Sequence, residues 1–368
     1  MPPQTIAFTG GGSGGHIYPG LAVAHALRER GFSGRMAWIG STKASDRSAV
    51  EAAGIDFIAV PSGKLRRQPS LRNAVDAFGV LGGYLASRRE LKRLAPALLF
   101  SKGGYVSVPP CAAAASLGIP FFTHESDLTP GLATRLNARR ADRVILSYEG
   151  TRALLPAAAQ ERAIVAGNPV RDSIRHGDAA KGRSLLGVKQ GVPILFFLGG
   201  SQGAHQINEL VEAALPRLTE AAFVVHQAGE AAAASSISPN VPGYRRYAYI
   251  REEMPDLLAA ADIAVGRSGA GTLWESSALA KPMILVPLCG SGTRGDQVDN
   301  AALFERAGAA ISLVGPDATP DRLVEAALGL LGDGKRMQMA GEAAFALAGG
   351  DAAGAIADLI LRTIAEAR

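Results

Sequence analysis

The chain contains two copies of one Gly-rich turn, each lying between a short apolar run and a stretch with helical apolar periodicity. The first copy covers residues 10–16 and the second covers residues 199–205. Without a gap, the alignment pairs Gly10 with Gly199, Gly11 with Gly200, Gly14 with Gly203 and His16 with His205. A strand, a Gly-rich turn and a helix N-terminus together form an anion site, because free backbone N–H groups and the helix dipole favour negative charge. Two copies predict a protein that binds two phosphorylated ligands.

Short apolar runs alternate with helical patterns along the rest of the chain. The runs are 36–39, 57–60, 98–100, 120–123, 143–146 and 163–165, followed by 194–198, 222–227, 263–265, 283–286 and 309–313. Runs without polar alternation are typical of parallel strands that are covered on both faces. Their alternation with helices predicts an α/β fold built from βαβ units.

The length of 368 residues is large for one core and favours two domains. The pattern restarts after residues 167–171, which predicts Rossmann-like domains at 1–168 and 169–350. The Ala-rich tail of residues 351–368 is expected to form a final helix that can pack back on the first domain. Both Gly-rich turns would then lie at the carboxyl ends of sheets that face each other across a cleft, and that cleft is the expected active site.

Composition excludes several other classes of protein. Hydrophobic residues make up 48% of the chain and charged residues 19%, which indicates a globular protein. Cys111 and Cys289 stand apart from each other and from any ligand pattern, so neither a disulfide framework nor a zinc site is expected. The N-terminus does not resemble a secretory signal, and no apolar stretch is expected to reach the roughly 18 residues of a spanning helix. We therefore expect a soluble or peripheral cytoplasmic protein.

The first turn is a weak match to a dinucleotide fingerprint. Gly10, Gly12 and Gly15 fit the G-x-G-x-x-G spacing. A nicotinamide-binding domain also needs an acidic residue for the ribose at the end of the second strand. That strand is followed here by residues 40–43, Gly-Ser-Thr-Lys. Hydride transfer is therefore the weaker interpretation.

Polar residues follow three predicted strands of the first domain. His16 opens a helix and is suited to exchange a proton near neutral pH, although a helix-capping role is the alternative. Residues 124–127, His-Glu-Ser-Asp, end another strand and form either a ligand-facing cluster or a surface turn. Lys102 stands beside two glycines and Tyr105, where its charge could neutralise a phosphate.

The second domain has two further polar loops. Residues 266–275 follow a strand and open a helix, which predicts a third nest of backbone donors. Glu275, one turn into that helix, is well placed to accept both hydroxyls of a ribose, and Gln297 at a later helix start can bond a sugar. A nucleoside diphosphate ligand accounts for these loops together. The chain has no Asp-x-Asp metal motif, so helix dipoles and N–H nests are expected to bind the diphosphate without a metal.

A basic segment with an apolar helix face occupies residues 64–93. Its basic residues are Lys64, Arg66, Arg67, Arg72, Arg88, Arg89, Lys92 and Arg93, and its apolar face is formed by Val75, Phe78, Leu81, Tyr84 and Leu85. This combination fits an anionic membrane surface, and an ordinary amphipathic helix docked on the sheet is the alternative. No aromatic platform or groove-reading motif accompanies the charge, so nucleic acid is not an expected partner.

With these motifs assembled, the chain closely resembles the MurG family of peptidoglycan glycosyltransferases. The resemblance runs nearly end to end. The residues that carry it are 11–16, 102–105, 124–125, 167–171, 199–203, 267–270 with Glu275, and 296–297 with 300–301. It implies the two-domain GT-B fold, no metal or other cofactor, inversion at the anomeric carbon and peripheral attachment to the cytoplasmic face of the cell membrane. The implied reaction transfers GlcNAc from UDP-GlcNAc to the undecaprenyl-diphospho-muramoyl-peptide lipid (lipid I), giving lipid II for peptidoglycan synthesis.

The resemblance also assigns residues to each substrate. The UDP-sugar would be bound by Arg171, Ser201, Ile250, Ala270, Gly271, Thr272, Leu273, Trp274, Glu275 and Gln297. The acceptor's diphosphate would meet Ser13, Gly14 and Gly15, and the acceptor side would also include Gly11, Gly12, Lys102, Tyr105, His124 and Glu125. The membrane face would be Val75, Phe78, Leu81 and Leu85.

Two positions depart from the family pattern. The family commonly has Asn where this chain has Asp127, and the family's contact to the sugar is assigned to the Asn amide. The Asp127 carboxylate can accept hydrogen bonds from the sugar but cannot donate them. Asp127 is therefore a second candidate for the catalytic base beside His16. The loop of residues 290–295 also differs. These departures leave open another lipid acceptor, and the sequence also leaves open a UDP-sugar epimerase, a dehydrogenase or a non-catalytic UDP-sugar sensor.

Overall fold

The computed structural model describes residues 4–63, 72–200, 203–229, 241–290 and 293–366, with only the backbone described for 72–77. The chain divides into two compact units. The first comprises Met1–Arg171 together with Asp351–Arg368, and the second comprises Asp172–Gly350. The sequence-based boundary lay after residue 168. The final helix is part of the first unit.

The described residues of the first unit form a seven-stranded sheet in which every pairing is parallel. Its strand order is β3-β2-β1-β4-β5-β6-β7. The strands are β1 (Thr5–Thr9), β2 (Arg35–Gly40), β3 (Asp56–Ala59), β4 (Leu98–Ser101), β5 (Phe121–Glu125), β6 (Arg143–Leu146) and β7 (Ala163–Val165). The order reverses direction at β1, so the loops that follow β1 and β4 meet at the carboxyl edge, where such sheets bind ligands.

Helices cover both faces of this sheet. They are α1 (Gly14–Glu29), α2 (Ala44–Ala52), α3 (Arg72–Leu94), α4 (Val108–Leu117), α5 (Leu132–Asn137), α6 (Ala157–Gln160) and α15 (Ala352–Glu366). Phe8 of β1 stacks on Trp38 of β2, with ring centroids 5.7 Å apart. Ile356 and Ile360 of α15 are fully buried in the same cluster as Phe8. Apolar burial of this kind explains why the last helix joins the first unit.

Within its described residues, the second unit forms a six-stranded parallel sheet of order β10-β9-β8-β11-β12-β13. Its strands are β8 (Ile194–Leu198), β9 (Phe223–Gln227), β10 (Tyr244–Tyr247), β11 (Ile263–Gly266), β12 (Met283–Leu285) and β13 (Ala310–Ser312). Its helices are α7 (Asp172–Arg175), α8 (Ala179–Leu186), α9 (His205–Thr219), α10 (Met254–Ala260), α11 (Ala270–Ala278), α12 (Asp296–Arg306), α13 (Pro320–Leu331) and α14 (Gly334–Ala348).

The predicted α/β architecture is confirmed, and each predicted apolar run coincides with a strand to within two residues. Sequence reasoning missed one strand, β10. Its sequence is Tyr-Arg-Arg-Tyr, and it lies at the edge of the second sheet. An edge strand is paired on one side only, so it needs no continuous apolar run.

The prediction about apolar stretches was wrong for the C-terminal region. Residues Gly334–Glu366 are long and apolar enough to cross a membrane by length and composition, with a mean hydropathy of 1.5, and 50% of the apolar window is buried. Two helices, α14 and α15, share this stretch. Ala344 of α14 and Ile356 of α15 are fully buried, so packing within the two units accounts for much of this apolar character.

Candidate functional site

The first Gly-rich turn, residues 10–15, follows β1 and is closely enclosed by two side chains. Gly12 has a φ of +87°, and a Cβ added there would lie 2.9 Å from Tyr105 Cε1. A Cβ on Gly11 would lie 2.7 Å from Asp46 Oδ2. Because these distances are shorter than van der Waals contact and both φ angles are positive, a larger residue at either position would be strained and would displace Asp46 or Tyr105. Of the predicted acceptor residues, Gly12 therefore packs against Tyr105, whereas Gly11 faces Asp46.

Residues of the β2–α2 connection and of the first turn of α2 hold this turn from the side. Gly12 N–H donates to Asp46 Oδ2 at 2.7 Å, and the Ser41 hydroxyl donates to the same oxygen at 2.7 Å. Lys43 Nζ donates to the Gly12 carbonyl oxygen at 2.7 Å. Sequence reasoning missed Asp46, because it stands six residues beyond Gly40 rather than at the end of the strand itself.

His16 lies in the first turn of α1, half-buried beside the loop after β4. Its Nδ1–H donates to the Lys102 carbonyl oxygen at 3.3 Å. A carbonyl can only accept, so this contact places the proton of the neutral ring on Nδ1 and the lone pair on Nε2. A Cβ on Gly104 would lie 2.8 Å from His16 Cδ2, so the imidazole packs against that loop. The environment suits a general base of fixed orientation.

His205, the counterpart of His16 in the second turn, has different surroundings. Its side chain is 88% exposed, and its Nδ1 lies 3.1 Å from Glu209 Oε2 one turn further along α9. Such an exposed i,i+4 pair is typical of a solvated helix surface. The shared position in the turn therefore does not by itself create the environment of His16.

Lys102 does not lie where its sequence context suggested. The side chain is 1% exposed, and Nζ donates to the Ser126 hydroxyl. Burial lowers the pKa of Lys102 to about 8, against the opposing attraction of Glu125 and Asp127. The predicted role as an exposed phosphate ligand is therefore corrected, since the ammonium group lies beneath the site and is bonded within the protein.

His124 and Glu125 are also buried. Glu125 accepts backbone N–H bonds from Ser126 at 2.9 Å, Asp127 at 3.1 Å and Gly131 at 2.9 Å, so its carboxylate shapes the β5–α5 loop. His124 Nε2–H donates to the Gly167 carbonyl at 2.8 Å. Burial lowers the pKa of His124 well below its usual value, and the nearby Lys102 charge acts in the same direction. Both side chains support the site from below rather than line its surface.

The remaining predicted residues of the first unit lie nearer the surface. Ser13, Gly14 and Gly15 are exposed. Ser13 is the N-cap residue of α1, and its side chain makes no capping hydrogen bond. Asp127 is half-buried on the loop that Glu125 shapes.

Arg171, assigned to the UDP-sugar by resemblance, falls within the first unit. Its guanidinium carbon lies 5.3 Å from the centre of the Tyr18 ring of α1. A planar guanidinium over an aromatic ring is a favourable arrangement, worth roughly 0.5–1 kcal/mol at an exposed site. Arg171 is thereby linked to the helix that carries His16.

In the second unit, the Gly-rich turn packs against the end of β9. A Cβ on Gly199 would lie 2.4 Å from the Gln227 carbonyl oxygen, and one on Gly203 would lie 2.5 Å from the Ala228 carbonyl oxygen. Gly199 N–H donates to the Gln227 carbonyl at 2.9 Å. Gly200 is exposed, and nothing lies within 4 Å of a Cβ added there. Ser201, predicted to bind the UDP-sugar, lies outside the described residues.

Three loops of the second unit converge at the carboxyl edge of its sheet. Arg267 Nη1 donates to Gln206 Oε1 of α9 at 2.8 Å and to the Val286 carbonyl at 2.8 Å. The Ser268 hydroxyl donates to the Gln297 carbonyl at 2.6 Å, and Asn300 Nδ2 donates to the Ser268 carbonyl at 3.1 Å. The loops after β8, β11 and β12 are thus joined around the N-terminus of α11.

The residues of α11 that are predicted to bind the UDP-sugar differ in how exposed their side chains are. Leu273 and Trp274 are 0% and 3% exposed, so their side chains belong to the core. Glu275 and the preceding residues Ala270, Gly271 and Thr272 are half-buried in the first turns of α11. The N–H groups of a helix's first turn have no partners within the helix, which suits them to bind an anion.

Two other residues predicted to bind the UDP-sugar make hydrogen bonds within the protein. Ile250 N–H donates to Gln227 Oε1 at 3.0 Å, and Gln297 Oε1 accepts Leu288 N–H at 2.8 Å. The carboxamide NH₂ of Gln297 is therefore the group that suits a sugar oxygen. Among the residues described, no group of three or more His, Cys, Asp or Glu side chains is placed to hold a metal ion.

The predicted membrane face lies on α3. Phe78, Leu81 and Leu85 are 76%, 55% and 58% exposed. Tyr84, on the same helix, packs against the core instead. Lys64, Arg66 and Arg67 and the side chains of Arg72 and Val75 lie outside the described part of the structure.

Family comparisons match both halves of the chain. The N-terminal domain of glycosyltransferase family 28 matches residues 6–146, and the C-terminal domain of that family matches residues 194–355. A UDP-N-acetylglucosamine–N-acetylmuramyl-(pentapeptide) pyrophosphoryl-undecaprenol N-acetylglucosamine transferase of Treponema denticola is 44% identical over 97% of this chain and 97% of its own. A Bacillus cereus transferase of the same name, numbered 2, is 38% identical over 88% of this chain and 90% of its own.

Solved structures share the fold at lower identity. MurG of Acinetobacter baumannii has a TM-score of 0.72 at 23% identity, covering 98% of this chain and 100% of its own. The UDP-GlcNAc 2-epimerase of Neisseria meningitidis, bound to UDP-GlcNAc, has a TM-score of 0.68 at 13% identity, covering 98% and 100%. At these identities the likeness concerns the fold alone.

Two parallel α/β units of this kind define the class of GT-B glycosyltransferases. The sequence matches identify the group within that class: the chain belongs to glycosyltransferase family 28 and, in it, to the MurG family. It is a glycosyltransferase.

Proposed function

We propose that this chain transfers GlcNAc from UDP-GlcNAc to the muramoyl sugar of undecaprenyl-diphosphate-linked lipid I. The observation that carries this proposal is the near full-length similarity to the Treponema denticola transferase, whose name specifies both substrates. The product is lipid II, the precursor for peptidoglycan synthesis.

The second unit binds the donor in this proposal. The N–H groups at the start of α11 and those of the second Gly-rich turn stabilise the diphosphate as negative charge develops on the leaving UDP. The Glu275 carboxylate accepts the ribose hydroxyls, and the Gln297 NH₂ donates to the sugar. Support comes from the hydrogen bonds of Arg267 to Gln206 and Val286 and of Ser268 to Gln297, which connect the loops of this edge.

The first unit binds the acceptor and supplies the base. The hydroxyl oxygen of the muramoyl sugar forms a bond to the anomeric carbon of GlcNAc while the bond from that carbon to the UDP oxygen breaks. The hydroxyl proton passes to His16 Nε2, or to Asp127, and UDP leaves with the electron pair. The Nδ1 contact of His16 with the Lys102 carbonyl favours the ring as base, because it leaves the lone pair on Nε2.

The proposal also places the enzyme at the cytoplasmic face of the membrane, where the lipid acceptor is anchored. Phe78, Leu81 and Leu85 recur at a spacing of three to four residues and are exposed on α3. Basic residues Arg88, Arg89, Lys92 and Arg93 follow on the same helix. An apolar face next to basic side chains is suited to bind an anionic bilayer surface.

Radiolabelled transfer from UDP-GlcNAc to a short-chain lipid I analogue tests the activity, with and without EDTA. We expect a labelled disaccharide lipid in both cases, and no label released as free sugar when the acceptor is omitted. Transfer to diacylglycerol instead of lipid I would assign another acceptor. Conversion of the labelled sugar into its epimer without acceptor would indicate an epimerase. Binding of UDP-GlcNAc without transfer to either acceptor would contradict the enzymatic proposal.

Vesicle sedimentation tests the membrane face. The triple variant Phe78→Ser/Leu81→Ser/Leu85→Ser is expected to lose most binding to vesicles containing phosphatidylglycerol. The matched control is Leu154→Ser, because Leu154 is also an exposed leucine of the first unit, at 45%. Equal binding by the triple variant and the control would contradict the assignment of this face.

A further inference from the structure

The first Gly-rich turn contacts a buried carboxylate of its own protein. Asp46 and Gly12 are 34 residues apart in the sequence, and Asp46 Oδ2 accepts the Gly12 N–H at 2.7 Å. A Cβ added to Gly11 would lie 2.7 Å from the same oxygen, so the carboxylate lies directly against the turn. Parallel pairing of β1 with β2 brings the two loops together.

Burial makes this contact more than a surface hydrogen bond. Asp46 is 4% exposed, and a buried carboxylate is costly unless it accepts hydrogen bonds. Gly12 N–H and the Ser41 hydroxyl both satisfy it. Lys43 Nζ donates to the Gly12 carbonyl oxygen, so the N-cap and the first turn of α2 together bind both polar backbone groups of one glycine. Hydrogen bonds to a charged acceptor are among the stronger ones in proteins.

This arrangement changes how the turn can bind an anion. A Gly-rich turn normally offers its N–H groups to the ligand. Here the Gly12 N–H already points at Asp46, and the negative charge beside it repels a phosphate at that position. An incoming diphosphate is therefore directed to the exposed residues Ser13, Gly14 and Gly15 at the start of α1. Hydrogen bonds within the protein hold the turn in this shape, which lowers the ordering cost of binding.

We propose that Asp46 is a positioning residue that preorganises the first Gly-rich turn for the diphosphate of the lipid acceptor. Ser41 orients the carboxylate, and Lys43 binds the carbonyl oxygen of Gly12. We call these three residues, Ser41, Lys43 and Asp46, the clamp. The inference rests on the proposed function for the identity of the ligand, but the clamp itself can be measured without catalysis.

Steady-state kinetics with both substrates varied gives the first test. Asp46→Ala is expected to raise the KM for the lipid I analogue about 10-fold, as loss of a charge-assisted hydrogen bond predicts. The KM for UDP-GlcNAc is expected to stay within about twofold, a change too small to count as a lost hydrogen bond. Asp46→Asn keeps an acceptor oxygen and should show a smaller rise in the same KM. Equal rises in both KM values, or no rise in either, would overturn the proposal.

Glu51→Gln is the matched control, since it removes one carboxylate from the same helix. Glu51 pairs at 3.0 Å with Arg47 on the exposed side of α2. Its KM values for both substrates should equal those of the wild type. If this control raised the acceptor KM as Asp46→Ala does, the effect would belong to the net charge of α2 and the clamp would be rejected.

Hydrogen exchange of residues 10–16, measured without substrates, separates this inference from the proposed function. In Asp46→Ala these amides should exchange at least about 10-fold faster than in the wild type, whereas Glu51→Gln should match the wild type. Asp46→Asn serves the same purpose if the alanine variant does not fold. Wild-type protein that fails to transfer GlcNAc would reject the proposed function while leaving this readout valid. Unchanged protection in both Asp46 variants would reject the clamp.

Discussion

The two Gly-rich turns have matching glycines and matching histidines, yet their surroundings differ. The first turn is enclosed by Asp46 and Tyr105, and its histidine is held by the Lys102 carbonyl. The second turn packs on the β9 carbonyls, and its histidine lies in solvent beside Glu209. A repeated motif thus fixes the local backbone, whereas neighbouring loops decide what each copy can do.

Buried ionisable groups support both sites, again in different ways. In the first unit, Lys102 and His124 lie beneath the loop that carries Asp127. In the second unit, His226 lies between Tyr244 and Asn208, with its two ring nitrogens 2.9 and 3.0 Å from their oxygens. A buried amine therefore lies beside a buried imidazole under the first site, whereas the group described under the second site is an imidazole.

The largest predicted effect separates the two histidines. His16→Ala should lower kcat/KM by about 10²- to 10⁴-fold, the usual contribution of a positioned general base. His205→Ala should change kcat/KM by less than about twofold, because exposed pairs contribute little. Transfer assays on the two variants, together with Asp127→Ala, provide the check. Near wild-type turnover by both His16→Ala and Asp127→Ala would show that neither residue is the catalytic base.

The buried histidines should make the free energy of unfolding decrease at acidic pH. Burial lowers the pKa of His226 to about 4 from a usual value of 6.5. As the pH falls from 6.5 to 4, the unfolded chain binds a proton that the folded unit excludes, so the free energy of unfolding decreases with falling pH. The full difference corresponds to about 3 kcal/mol. Urea unfolding of His226→Gln at pH 7 and 4.5 should show a smaller loss than the wild type.

An exposed histidine provides the control for this measurement. His205→Gln should lose as much free energy of unfolding between pH 7 and 4.5 as the wild type does. An unchanged loss in His226→Gln would mean that His226 is not the group excluded from protonation. His124 of the first unit, whose pKa is also lowered by burial, should account for part of the remaining loss.

Lys102→Met should raise the free energy of unfolding and lower the transfer activity. Burial lowers the pKa of Lys102 to about 8 from 10.5, so holding it charged at pH 7 costs folding free energy. We expect a gain of about 1–3 kcal/mol in the free energy of unfolding at pH 7. The gain should shrink between pH 8 and 10.5, because the wild-type cost disappears as the unfolded lysine also loses its proton. Activity should fall, because Ser126 loses its donor.

Lys281 of the second unit is the matched control for Lys102. Burial also lowers the pKa of Lys281, and its Nζ donates to the Ala259 carbonyl at 2.7 Å. Lys281→Met should leave the transfer rate unchanged, because the Nζ partner Ala259 belongs to α10 and not to the three joined loops. Loss of activity in Lys281→Met equal to that in Lys102→Met would make the effect one of general stability.

Strand periodicity and turn chemistry predicted most of the fold, because parallel strands buried on both faces have a distinct apolar pattern. The contacts between loops could not be predicted in the same way. Asp46 reaches Gly12 only because β1 and β2 pair, and that pairing is not visible in either segment alone. Lys102 follows a strand next to two glycines, a context typical of exposed phosphate ligands. Its burial depends on the β5–α5 loop that closes over it.

The first Gly-rich turn is proposed to bind the lipid acceptor, and the second unit is proposed to bind UDP-GlcNAc. Measuring both KM values for Ser13→Ala and Glu275→Gln tests this division of roles most directly. Ser13→Ala should raise only the KM for the lipid I analogue, by about 3- to 10-fold, and Glu275→Gln should raise only the KM for UDP-GlcNAc, by about 10-fold or more. If Ser13→Ala raised the KM for UDP-GlcNAc instead, or if both variants raised the same KM, the division of roles between the two turns would be contradicted.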